Sequence, residues 1–277
     1  MKMKRKISVY AAAVVVITVF YSCSTVPFTN RKQINVLPSS MMLEMSLTSY
    51  DQFLSENPPM GADTKEVQQV KKVGTDIASA VDAFLKENGM DKRLKEFDWE
   101  FNVVQDETVN AWCMPGGKIV FYSGILPVTE NNEGIAVVMG HEIAHALARH
   151  GNERMSQQLA VELGGMTLSV ALQEKPELTQ QIFLTSYGIG STLGSLAYSR
   201  KHEYEADRIG MILMAKAGYD PNHAIAFWEK MSAQGGPNQP EFLSTHPSDE
   251  NRIKAMKKNL PEAMKHLQGT KPKPVKM

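Results

Sequence analysis

The sequence predicts an α+β fold, mainly helical, with a small antiparallel β-sheet beside a helix that carries an H-E-x-x-H motif. Three observations predict it. Val67, Val70, Val73, Ile77, Val81 and Phe84 recur at helical spacing. Trp99, Phe101 and Val103 alternate with Glu100 and Asn102, as on a half-buried strand, and Pro115-Gly116-Gly117 turns a second short strand (109–114) into a third (118–122). His141-Glu142-Ile143-Ala144-His145 lies in a run that reads as a helix, so its two imidazoles share one face.

At 277 residues the chain can bury one large core or two small ones. Thirty Lys and Arg balance thirty Asp and Glu, so no overall field favours nucleic acid, and no nucleic-acid partner is expected. The 17 methionines read first as core filling. Of two cysteines, Cys113 reads as a small buried apolar residue, and Cys23 has another explanation.

That explanation begins at the N-terminus. Lys2, Lys4, Arg5 and Lys6 precede an apolar run over 7–21, which is the pattern of a secretory signal. Its end, Phe20-Tyr21-Ser22-Cys23, resembles a bacterial lipoprotein signal, which implies residues 1–22 are removed and Cys23 is lipidated. The alternative is an uncleaved anchor with a free thiol. Both readings place the rest of the chain outside the cytoplasm on a membrane surface, in the cell envelope. The periplasmic face of the outer membrane is the expected location.

Residues 23–38, with Pro27, Asn30 and Pro38, read as an extended tether, and residues 39–267 as the folded domain. Within it Ser39 is expected to cap a helix over 40–55, and Asp63 the next, stopped by Asn88-Gly89. Asn132 is expected to cap the motif helix over 133–150, ended by Gly151. Residues 152–198 are too often charged for a spanning helix and read as a pair of helices broken near Lys175-Pro176. Gly188, Gly190 and Gly194 lack the dinucleotide-binding spacing. Helices over 199–217 and 221–232 follow, then a Gly/Pro-rich loop over 234–240 that is mobile by composition. Ser248 or Asp249 is expected to cap a last helix toward Asn259, and 268–277 is a Lys/Pro tail expected to be disordered.

Two neutral histidines four apart on a helix can take two corners of a zinc tetrahedron, and Glu142 between them can act as a general base. A zinc hydrolase needs a third protein ligand. The metzincin extension would place a histidine at position 151, which is Gly, so the remaining route is a glutamate from a second helix. His202-Glu203-Tyr204-Glu205-Ala206-Asp207 supplies one. Glu203 and Asp207 share a helix face, so Glu203 can bind the metal while Asp207 accepts a ring N–H from a ligand histidine. Glu205, two from each, points elsewhere.

Ser199-Arg200-x-x-Glu203-Tyr204-Glu205-Ala206-Asp207 after H-E-x-x-H is similar to the M48 family of zinc metallopeptidases. Asn110-Ala111, Pro115-Gly116-Gly117, His150-Gly151, Ala217-Gly218-Tyr219-Asp220-Pro221 and Ser244-Thr245-His246-Pro247 extend the resemblance, in order, to Arg252. It looks closest to the periplasmic lipoprotein branch. The resemblance implies a gluzincin-type, zincin-like peptidase domain with one zinc ion on His141, His145 and Glu203, and Glu142 as base. His246 would take the fourth zinc position in a resting state or donate to the developing oxyanion; the alternative is a surface histidine before proline. Arg252 would steady the tetrahedral intermediate, or else form a salt bridge. His150 reads as structural. Residues 109–122, with Asn110 and Ala111, form the expected substrate edge, where an extended peptide would add as a strand.

The function expected is a membrane-tethered zinc endopeptidase acting on polypeptides of the cell envelope, misfolded or unassembled ones in particular. A non-proteolytic, chaperone-like assembly factor using the same groove is the competing reading, and an intact Glu142 argues against it. A structural zinc protein would not need an open coordination position.

Overall fold

The computed structural model describes residues 23–35, 37–162, 167–189, 199–233, 240–247 and 250–267. The expected signal (1–22), most of the expected mobile loop (234–239), both candidate caps of the last helix (248–249) and the tail (268–277) lie outside them. No helix among the described residues is long and apolar enough to cross a membrane.

Two short strands, β1 (Cys23–Thr25) and β2 (Lys32–Ile34), pair antiparallel and open the described chain. Helices α1 (Ser39–Glu56), α2 (Lys65–Glu87) and α3 (Asp91–Leu94) follow. The central sheet comprises β3 (Glu100–Val104), β4 (Ala111–Met114) and β5 (Lys118–Tyr122). After a 3-10 turn and the short α4 (Leu126–Thr129) come the motif helix α5 (Asn132–Ala148) and α6 (His150–Glu162). Then follow α7 (Leu168–Glu174), α8 (Pro176–Ser186), α9 (Arg200–Lys216), α10 (Asn222–Ser232), α11 (Glu241–Thr245) and α12 (Glu250–Leu267). The α+β, mainly helical class stands as predicted, with the sheet beside the motif helix.

The sheet is mixed rather than antiparallel throughout. Its order is β3-β5-β4, with β5 parallel to β3 and antiparallel to β4. The Pro115-Gly116-Gly117 turn makes the expected hairpin, with both glycines at positive φ. The departure lies in the connection 105–110, which is pinned to the end of β5. The Ser123 hydroxyl donates to the Asp106 carbonyl (2.8 Å), as does the Gly124 amide (2.8 Å). Held there, the chain passes over β5, and β4 returns on the far side.

Side-chain alternation divides the core along this sheet. Phe101, Val103, Ala111, Cys113, Ile119 and Phe121 face α2 and α5, whereas Val104, Trp112, Met114 and Val120 face α1 and α6–α8. The expected apolar stripe of α2 is buried, and its cap is Thr64, one residue later than expected, whose hydroxyl accepts from the Val67 amide. Asn131 rather than Asn132 caps α5, accepting from the Gly134 amide (3.0 Å). α5 also stops earlier than predicted. Arg149, not Gly151, adopts the left-handed conformation (φ 56°) that ends it. Gly151 lies inside α6 for a different reason: a Cβ there would sit 2.2 Å from the Tyr187 ring.

Residues 23–34, read as an extended tether, are instead a docked hairpin. Val26 is fully buried, Phe28 stacks on Phe84 with ring centroids 3.7 Å apart, and Arg31 reaches Glu153 (2.8 Å) and Glu205 (2.6 Å). A sequence with little periodicity hides such docking, because one buried valine, one ring and one guanidinium hold it.

α5 is buried on every side from Gly134 to Ala148 and crosses α9 at glycines. A Cβ on Gly140 would lie 2.9 Å from the Gly210 carbonyl oxygen, and one on Gly210 would lie 3.0 Å from the Gly140 carbonyl carbon and the His141 nitrogen. The two backbones therefore touch. Gly140→Val should force them apart at an overpacking cost of about 1–3 kcal/mol, lowering the melting temperature by roughly 2–10 °C. Gly61→Val, at a glycine with no atom near its missing Cβ, should change it little. Equal melting temperatures for the two variants would contradict the backbone contact.

Candidate metal centre

The glycine crossing sets what faces what. His141 follows Gly140 directly, and Glu203 and Asp207 precede Gly210 by two turns and one turn on α9. α11 ends at His246, whose amide donates to the Phe242 carbonyl (2.9 Å), and this brings a third imidazole to the same point. His141, His145, Glu203 and His246 are all buried, and one donor atom from each lies within 4.8 Å of all the others.

His141 Nε2 is 3.1 Å from His145 Nε2 and 3.2 Å from His246 Nδ1. Glu203 Oε1 is 3.1 Å from His246 Nδ1 and 3.4 Å from His145 Nε2, and Glu203 Oε2 is 3.5 Å from His141 Nε2. The outer nitrogen of His141, Nδ1, faces Asp207 Oδ1 at 3.0 Å. Asp207 accepts the proton there, which leaves the lone pair of Nε2 turned toward the cluster. Imidazole lone pairs this close repel unless something positive lies among them. A proton can bridge one pair, whereas a cation can satisfy all four donors.

The charge count agrees. Glu142, Glu203 and Asp207 are buried carboxyls, and Arg252 is the buried cation that meets them. With Glu142 protonated, Glu203 and Asp207 against Arg252 leave one negative charge. Against the opposing effect of burial, the hydrogen bonds to Asp207 and Glu203 hold His141 up to about 9, so the site draws positive charge to the point its donors share. Three imidazoles and a carboxylate are a donor set that zinc favours. The residues fit a zinc ion, and His141, His145, Glu203 and His246 form the site that would hold it.

Glu142 sits beside this cluster. Its Oε1 is 3.4 Å from His246 Nε2 and is buried without a hydrogen-bond partner. Burial pushes its carboxyl up to about 8, against the opposing pull of His141. Burial likewise pushes His246 down to about 4. β4 passes close by: burial first, and then the Glu142 charge, raise the Cys113 thiol well above its usual range. Cys113 is thus the inert apolar residue expected.

Arg252 makes the salt bridges of the alternative reading. Its Nε and NH2 grip Asp207 at 2.6 and 2.8 Å, and NH1 lies 2.7 Å from Glu203 Oε2. NH1 also donates to the carbonyls of His246 (3.1 Å) and Pro247 (3.3 Å), and the guanidinium lies 3.6 Å above the Trp228 ring. It therefore locks the acids of α9 to the end of α11, at a bidentate geometry only arginine offers.

Asn110 and Ala111 are buried at the start of β4, the strand at one edge of the sheet. The Asn110 side chain accepts from the Ala111 amide (2.9 Å) and donates to Glu241 Oε1 (3.2 Å), tying the strand to α11. Cys23 stands at the start of β1, remote in sequence from the cluster. The sequence reading missed how much His150 and Glu205 contribute. His150 is fully buried, with Nδ1 3.0 Å from His145 Nδ1 and Nε2 3.0 Å from Glu205 Oε2. The spacing of Glu205 did signal a second face of α9, but not what that face meets.

Comparison with known proteins agrees with this geometry. Residues 68–260 match the model of Peptidase family M48. The chain is 34% identical over 245 residues to the mitochondrial metalloendopeptidase OMA1 of Schizosaccharomyces pombe, a match covering 86% of this chain and 66% of that protein. It is 36% identical over 201 residues to the Saccharomyces cerevisiae protein of that name, covering 69% and 56%. With the beta-barrel assembly-enhancing protease of Escherichia coli it shares 31% identity over 160 residues, covering 56% and 33%. The chain thus spans less than two thirds of the length of each of these relatives. On its matched residues and its donor set, the chain belongs to peptidase family M48.

Proposed function

We propose that this protein is a zinc-dependent endopeptidase that hydrolyses peptide bonds of misfolded or unassembled proteins in the cell envelope, held to a membrane by a lipid on Cys23. The observation that carries the reading is Glu142, a buried carboxyl with an unpartnered oxygen beside a four-donor cluster. A structural metal site has no use for such a group.

Zinc bound there would supply Lewis acidity toward the scissile carbonyl and the attacking water. Glu142 takes the proton of that water and returns it to the leaving amine, and burial gives its carboxyl more proton affinity than an exposed carboxylate has. Asp207 fixes the His141 tautomer, and Arg252 fixes Asp207. His246 would be the fourth residue to hold the ion and would release it where substrate binds. Its outer nitrogen, near Glu142, then becomes the donor available to the developing oxyanion. The edge of β4, at Asn110 and Ala111, receives the substrate as an added strand, which gives backbone bonds and little sequence selectivity.

Envelope location is supported by the charged and apolar N-terminal pattern. Membrane tethering through Cys23 is supported by the same pattern alone.

Glu142→Gln should keep its zinc and lose about a hundredfold or more of its cleavage of an unfolded protein substrate. Retained cleavage would sink the assignment. His246→Ala removes one of four donors and the oxyanion donor together, so chelator competition should report weaker zinc binding and peptide cleavage should fall by about a hundredfold or more. Unchanged zinc affinity together with lost cleavage would reassign His246 to catalysis alone. Cys23→Ser should move the protein from the membrane fraction to the soluble fraction; unchanged partitioning would refute the lipid tether.

A further inference from the structure

The two H-E-x-x-H histidines are supported in parallel, and the second support is completed by residues outside the family match. Behind His141 stand Asp207 and then Arg252. Behind His145 stand His150, then Glu205, then Arg31 of the N-terminal hairpin. α9 thus carries Glu203 at the cluster and one carboxylate behind each ligand histidine, on two faces.

The contacts allow one arrangement of protons. His145 Nε2 faces the metal donors, so its proton lies on Nδ1 and is donated to Nδ1 of His150, 3.0 Å away. His150 must then carry its proton on Nε2 and donate it to Glu205 Oε2, also at 3.0 Å. Glu205 can accept from His150 only while its carboxylate is held in place. The hairpin holds it: Arg31 Nε donates to Oε2 at 2.6 Å and the Thr29 hydroxyl donates to Oε1. Arg31 is fixed in turn by Glu153 at 2.8 and 3.2 Å and by Gln33 at 3.2 Å. Glu153 also meets His202 (3.1 Å), whose ring stacks on His150 at 4.4 Å.

We propose that the N-terminal hairpin is a working part of the metal centre, with Arg31 and Thr29 acting as positioning residues for His145 through Glu205 and His150. The proposal rests on the zinc reading of the cluster. If hairpin docking fixes the ring of a ligand, docking strengthens zinc binding, and zinc must strengthen docking by the same factor. Groups that orient a metal-ligating histidine typically alter affinity by 10–100-fold when replaced.

The test uses the full chain as wild type, Arg31→Ala and Glu205→Gln. Zinc affinity is measured by chelator competition, the visible spectrum is recorded with cobalt(II) in place of zinc, and amide hydrogen exchange is followed over 24–34. Both variants should bind zinc at least tenfold more weakly and shift the cobalt spectrum. In wild type, stripping the zinc should speed exchange across the hairpin, a result that requires no variant to fold. Wild type that holds zinc stoichiometrically, yet shows the same hairpin exchange with and without it, overturns this proposal alone. So do variants with zinc affinity within twofold of wild type and an unchanged cobalt spectrum. Wild type that holds no zinc overturns the metal reading itself, and this proposal with it.

Discussion

The structure depends on one backbone contact, Gly140 against Gly210. Two helices usually keep their axes 8–10 Å apart because side chains stand between them. Here neither helix has a side chain at the crossing, so the residues next to it meet at hydrogen-bonding distance. His141 and Glu203 are ligands to one point because nothing separates the elements that carry them. Placing His141, His145 and Glu203 on regular helices also spares those three ligands the looseness of a loop.

Buried charge is the second constraint. The motif helix is enclosed on all sides and yet carries His141, Glu142 and His145. That is tolerable only with compensation near each group. Arg252 serves the Asp207 and Glu203 side, and Arg31 serves the Glu205 and Glu153 side. Both guanidiniums are largely shielded from water, where a charged hydrogen bond is stronger and an unpaired partner is costlier. Each arginine also comes from a segment far in sequence from α5 and α9. The site is therefore closed by tertiary docking rather than by local structure.

This explains what was legible in the sequence. Spacing on a helix is local, so His141, Glu142 and His145 could be assigned to one face, and Glu203 and Asp207 to another. Polarity alternation located the strands. Strand order was not legible, because it depends on the Asp106 to Ser123 bonds, which join residues 17 apart. Arg252 could only be left between two roles, since a lone arginine carries no sign of the carboxylate it will meet. Asn30, Arg31 and Lys32 looked like solvated tether for the same reason. Helix ends misled where a residue had two uses: Gly151 looked like a stop, but its missing side chain makes room for Tyr187.

The docked hairpin also bears on reach. Cys23 is the first residue of β1, and β1 is already fastened to the body through Val26, Phe28 and Arg31. An extended 15-residue leash would let an anchored body sample about 50 Å above its membrane. A lipid on Cys23 would instead leave almost no slack, and the body would ride close to the bilayer in a nearly fixed attitude. What it could cut would then be set less by sequence than by height: chains emerging at the membrane surface would come within its grasp, and those well clear of it would not.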